Sequence, residues 1–117
     1  MLTQDTIEAY NTRLTVDLNS IKKMTAGELD RVKAHGSQAE ALLKNKELAL
    51  FIHQFKFEVT DSLGEVNGHS PDDNARRVAL ANQLTGIDSF ITTLKRAVYI
   101  KNRIVTQQNG SAEPSDI

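Results

Sequence analysis

The sequence predicts an all-α fold, an antiparallel bundle of three main helices with room for a short fourth, and three observations carry the prediction. The stretch from Ser70 to Gln108 holds the longest apolar rhythm in the chain. Leu80, Leu84, Ile87, Ile91, Leu94, Val98 and Val105 recur at helical spacing with only Lys101 breaking the row, so one helix with one continuous seam is expected there. Helix-start chemistry recurs along the chain, and period-2 strand patterning is confined to Phe55–Thr60, where no turn signal separates it from the helical run before it.

The first helix begins at Thr3 or Asp5, either of which can cap it. It places Ile7, Tyr10, Leu14, Leu18, Ile21 and Met24 on one face, with Glu8, Arg13, Asp17 and Lys22 mostly off it. Two restarts follow, each a hydroxyl residue with Glu three positions on: Thr25 with Glu28, and Ser37 with Glu40. Gly36 stands before the second, where glycine commonly follows a helix end, and Leu29 and Val32 mark a short segment between the two. Because Met24 keeps the phase, one unbroken helix as far as His35 is the alternative.

From Gln38 to Leu63 the helix carries two apolar stripes. One is Leu48, Ile52, Phe55, Val59 and Leu63; the other is Leu43, Leu50 and Phe57, seven apart. A helix apolar over so much of its circumference is either sandwiched between neighbours or shared with another chain. Gly64 to Asn74 reads as a loop with an Asn67-Gly68 turn pair, short enough to make the flanking helices antiparallel neighbours.

The spine helix starts with Ser70 as N-cap, Pro71 in the first turn, and Asp72 and Asp73 at the positive end of the helix dipole. At 1.5 Å per residue it reaches roughly 55–60 Å, more than a compact domain of this size is wide, so other elements must cover its seam. Gly86 costs about 1 kcal/mol relative to alanine inside a helix and reads as a close-packing point or mild kink, the alternative being a true break with Asp88 or Ser89 recapping a new helix. Residues 1–108 form a single domain, and 109–117 have the composition of a disordered tail.

Composition excludes several functions. There is no cysteine, hence no disulfide, thiolate metal site or cysteine nucleophile. Six aromatic residues, four Phe and two Tyr, are too few for a platform of stacked bases. The amino-terminal stretch carries Asp5 and Glu8 where a signal peptide needs basic then apolar residues, and no apolar run exceeds Leu48 to Ile52, so a cytoplasmic setting without membrane contact is expected. His35, His53 and His69 fall on different elements without ligand spacing; His53 reads as a core-edge residue, Arg31 and His35 as a solvated pair, and Asp72 and Asp73 beside His69 as helix-start charges. No phosphate loop, nucleophile elbow or paired-carboxylate motif occurs. The reading is therefore no enzyme, no catalytic residue, no cofactor and no metal.

Binding remains. The seam of Leu80, Leu84, Ile87, Ile91, Leu94, Val98 and Val105 is the expected partner surface of a small self-associating adaptor, assembly factor or regulator, with Lys101 setting register. The alternative is a nucleic-acid-binding protein. Although the chain is net −1, Arg76, Arg77, Lys95, Arg96, Lys101 and Arg103 stand against Asp88 alone between 74 and 109, giving the spine +5 to track phosphates or lie against its acidic neighbours.

Overall fold

The structure, a computed structural model, describes residues 3–14 and 16–112, the last three in backbone only. It is all-α, with no strand among the described residues. The order is α1 (Gln4–Asn11), a 3-10 helix (Leu18–Lys23), α2 (Ala26–Leu43), α3 (Lys46–Gly64) and α4 (Pro71–Ala112). The tail expected to be disordered is helical in its first residues, and 113–117 lie outside the described residues.

α4 is the spine. Ser70 Oγ accepts from the Asp73 amide at 3.1 Å while the Ser70 amide donates back to Asp73 Oδ2 at 3.3 Å, a reciprocal cap that launches the helix at Pro71. Its 42 residues extend about 63 Å, matching the 65 Å long dimension of the molecule. It runs unbroken through Gly86, which is exposed with open space around it, so the expected close packing there is absent.

α2 and α3 lie in succession along α4, both antiparallel to it. Lys33 meets Gln108, Glu40 meets Lys101, Lys56 meets Asp88, and the carbonyl of Val66 meets Arg77: as numbers rise on one arm they fall on the other. α2 covers the carboxyl-terminal half of the spine and α3 the amino-terminal half, while α2 and α3 touch each other little. The bundle is therefore a long hairpin with one arm in two pieces.

Three boundaries differ from the sequence reading. The first helix does not run on to Met24. It stops at Asn11, where the Thr12 hydroxyl and the Arg13 guanidinium hydrogen-bond the last carbonyls at 2.8 and 2.6 Å, and Asp17 then starts the 3-10 helix by accepting from the Asn19 amide at 3.0 Å. Packing favours that break, because it lets Ile21 enter the core, whereas α1 itself buries nothing. The continuous helix across Gln38–Leu63 is also interrupted: Asn45 Oδ1 accepts from the Leu48 amide at 2.8 Å and caps α3. Phe55–Thr60 is helical and not a strand.

The third boundary is Gly36. It is not a helix stop, since α2 starts at Thr25, whose hydroxyl accepts from the Glu28 amide at 3.2 Å, and passes straight through Ser37. Gly36 is buried because it touches α4: a Cβ there would lie 2.8 Å from the Ala97 carbonyl oxygen and closer still to Lys101 Cβ. Beside this contact lies the core, Ile21, Val32, Ile100 and Ile104, with Val16, Met24 and Leu29 packed around it. Ile104 is 1% exposed and Ile100 5%, deeper than any residue of the expected seam.

Two glycine substitutions should therefore move stability in opposite directions. Gly36→Ala gains about 1 kcal/mol of helix propensity but pushes a Cβ into a backbone oxygen, and overpacking of that kind costs about 1–3 kcal/mol, so a lower Tm is expected. Gly86→Ala meets no atom and should raise stability by about 0.5–1 kcal/mol. Thermal melts followed by circular dichroism read both, and a stabilising Gly36→Ala would refute the close approach.

Candidate interaction surfaces

The seam faces inward. Leu94 is buried, and Leu80, Leu84, Ile87, Ile91, Val98 and Val105 are half-buried along the face of α4 that α2 and α3 cover. The row is thus partly covered within the chain itself, since two helices placed end to end reach along the spine as one helix could not. Lys101, the polar interruption, reaches across to α2, where its ammonium binds Glu40 Oε2 at 2.9 Å; Lys44 holds the other carboxylate oxygen at 3.0 Å.

The exposed apolar surface lies on α3. Val59 is buried, and Leu48, Ile52 and Leu63 are half-buried on the inner stripe. On the second stripe Leu50 is 67% exposed and Phe57 69% exposed, and Phe51 on the flank is 69% exposed. A helix turns 100° per residue, so Leu50 and Phe57 stand almost opposite Val59 and Ile52, the residues that meet the spine. Phe51 and Phe55 sit on the flank away from Lys56. Phe90 on α4 sits on the flank away from Asp88, and because Lys56 and Asp88 are joined at 3.0 Å, the three rings share one side of the hairpin at similar height. The opposite side has a hollow of about 180 Å³ at the α2–α3 junction, lined by Leu42, Leu43, Ile52 and Ile91 among others and edged by His53, which is exposed and not part of the core.

The six cations of the spine divide by role. Arg77 is half-buried and closes the loop before α4, donating to the carbonyls of Val66 at 3.3 Å and of Gly68 and to Asn74 Oδ1 at 2.7 Å. Lys101 is held by Glu40. Arg76 is exposed but about 28 Å along the helix from Lys95, too far to share a binding patch with it. Lys95, Arg96 and Arg103 remain, all exposed on one face with Tyr99, itself 52% exposed, between them. Tyr99 escapes a reading of the cations alone, although its spacing of four from both Lys95 and Arg103 signals the shared face.

No three His, Asp or Glu side chains gather as a metal ion would need among the described residues. Asp73 is engaged by Ser70, and His35, His69 and Arg31 are exposed. No helix among the described residues is long and apolar enough to cross a membrane. Compared with known protein families, curated proteins and solved structures, the chain matches none. Fold and surface thus define the class: an all-α hairpin with an apolar, aromatic face on its shorter arm.

Hydrogen bonds from Lys101 and then Lys44, reinforced by their charges, hold the Glu40 carboxyl below its usual range. A carboxylate with a lowered pKa in the folded state contributes stability above its ordinary pKa and loses it as pH falls through the lowered value. Glu40→Gln should accordingly lower Tm near neutral pH, with the difference from the parent fading below about pH 4. Paired melts across pH 3 to 8 test this, and a difference that persists unchanged into acid would contradict the pairing.

Proposed function

We propose that the protein is a non-catalytic helical adaptor, assembly factor or regulator of the cytoplasm that acts through protein contacts and associates with itself. The observation that carries this reading is the outer stripe of α3. A helix with apolar residues on two sides must be covered on both, and within the chain only the inner side is covered, leaving Leu50, Phe51 and Phe57 each about two-thirds exposed.

Surface area supports the same reading. A compact monomer of 13.0 kDa exposes roughly 6,300 Å², whereas this chain exposes 9017 Å². The excess goes with the elongated shape, 65 × 40 × 27 Å, and such a shape leaves room for the roughly 800 Å² that each partner contributes to a standard interface. A second copy is the simplest cover, because a two-fold axis lays the same stripe against itself, with Leu50 and Phe57 seven apart as in a coiled-coil seam.

Light scattering behind a sizing column should give twice the chain mass at about 100 μM, and Leu50→Glu with Phe57→Glu should return a monomer with unchanged helix content. A monomer at every concentration would defeat self-association.

The second reading, nucleic-acid binding, is favoured by Lys95, Arg96 and Arg103 around exposed Tyr99. It requires binding whose salt slope falls by about one for each cation removed, as in Arg103→Glu. Absence of binding to single- and double-stranded DNA and RNA at low salt would retire it.

A further inference from the structure

Away from the α3 face lies a cleft of about 370 Å³, bounded by the segment after α1, by α2 and by the carboxyl-terminal half of α4. Its lining is of two kinds. Leu14, Val16, Ala97 and Ile100 form an apolar floor, and Arg13, His35 and Arg96 bring three basic side chains from three separate elements, with Thr93 beside them. No acidic residue lines it among the described residues.

Among the described residues none of the three is in an ion pair. Along α4 there is no Asp or Glu after Asp88 within the described residues, and Asp88 is paired with Lys56. On α2 no acid lies between Arg31 and Ala39; Asp30 is paired with Lys33, and Glu40 with Lys44 and Lys101. Asp17, in the segment that supplies Arg13, caps the 3-10 helix. Arg13 is also positioned, its guanidinium lying 3.9 Å from the centre of the Tyr10 ring and one nitrogen bonded to the Tyr10 carbonyl at 2.6 Å. Two arginines and a histidine from three elements, beside an apolar lining and with no acid in that lining among the described residues, complement a ligand that is anionic at one end and apolar at the other.

We propose that this cleft binds a small phosphate monoester carried on an aromatic or apolar body, the phosphoryl group held by Arg13, His35 and Arg96 and the body seated on Leu14, Val16 and Ile100. A phosphoryl group suits the set because it offers three acceptor oxygens to donors arriving from three directions. The site uses the half of the hairpin remote from the outer stripe of α3, so it stands or falls separately from self-association.

Isothermal titration of the full chain with phenyl phosphate, inorganic phosphate, phenol and a short single-stranded oligonucleotide tests it at low salt. Phenyl phosphate should bind at least about tenfold tighter than inorganic phosphate or phenol. His35→Gln and Arg96→Gln, both at exposed positions and checked for helix content by circular dichroism, should each weaken it about tenfold, whereas Arg103→Gln, outside the cleft, should leave it unchanged. Equal affinity for phosphate and phenyl phosphate, equal loss in all three variants, or binding of the oligonucleotide alone would overturn the proposal, each pointing to diffuse surface charge. No binding at millimolar phenyl phosphate would overturn it too.

Discussion

The close approach of α2 to α4 is the constraint on which the rest of the structure depends. At Gly36 there is no side chain to hold the helices apart, and with Ala39, 3% exposed, one turn further on, the two backbones come together over the Ala97 carbonyl and the Lys101 stem. That proximity brings Val32 against Ile100 and Ile104 and leaves a gap at the hairpin's end for Ile21. It also carries Lys101 to Glu40. The first element breaks after Asn11, and it is the 3-10 helix that seats Ile21 in that gap.

The same geometry explains why the molecule is long and thin. α2 is committed to the carboxyl-terminal half of the spine, so the amino-terminal half must be covered by the next helix in the chain, and a two-residue link at Lys44 and Asn45 lets α3 continue in the same direction. Covering a spine of about 63 Å in this way takes both α2 and α3, and α1, which buries nothing, does not cover the outer side of α3, where Leu50 and Phe57 stay exposed. The exposed Leu50 and Phe57 are therefore a direct result of how the seam is satisfied. The seam is half-buried against the other arm, and the most exposed large apolar side chains lie on α3.

Charge follows the same division. The basic spine lies against its acidic neighbours only in places, at Lys101 with Glu40 and at Asp88 with Lys56, where the charge order is reversed. One further arginine, Arg77, is absorbed by loop carbonyls. Of the remaining spine cations, Arg76 stands alone near the amino-terminal end, while Lys95, Arg96 and Arg103 are exposed around Tyr99, with Arg96 also lining the cleft beside Arg13.

The amino-acid sequence by itself determined that the chain is helical, that the spine starts at Ser70-Pro71, that Thr25 caps a helix, and that α3 is apolar on two sides, because periodicity and capping are local properties readable over a few turns. It left open which of those sides is inside, and it hid Ile100 and Ile104, which fall on a neighbouring face of the spine once α2 and α3 approach it from different angles. Gly36 and Gly86 make the same point. A glycine in a helical run reads alike wherever it sits, but the presence of Ala97 and Lys101 within contact of one, and of nothing near the other, was decided only by tertiary structure, since a steric requirement belongs to the pair of helices and not to either alone.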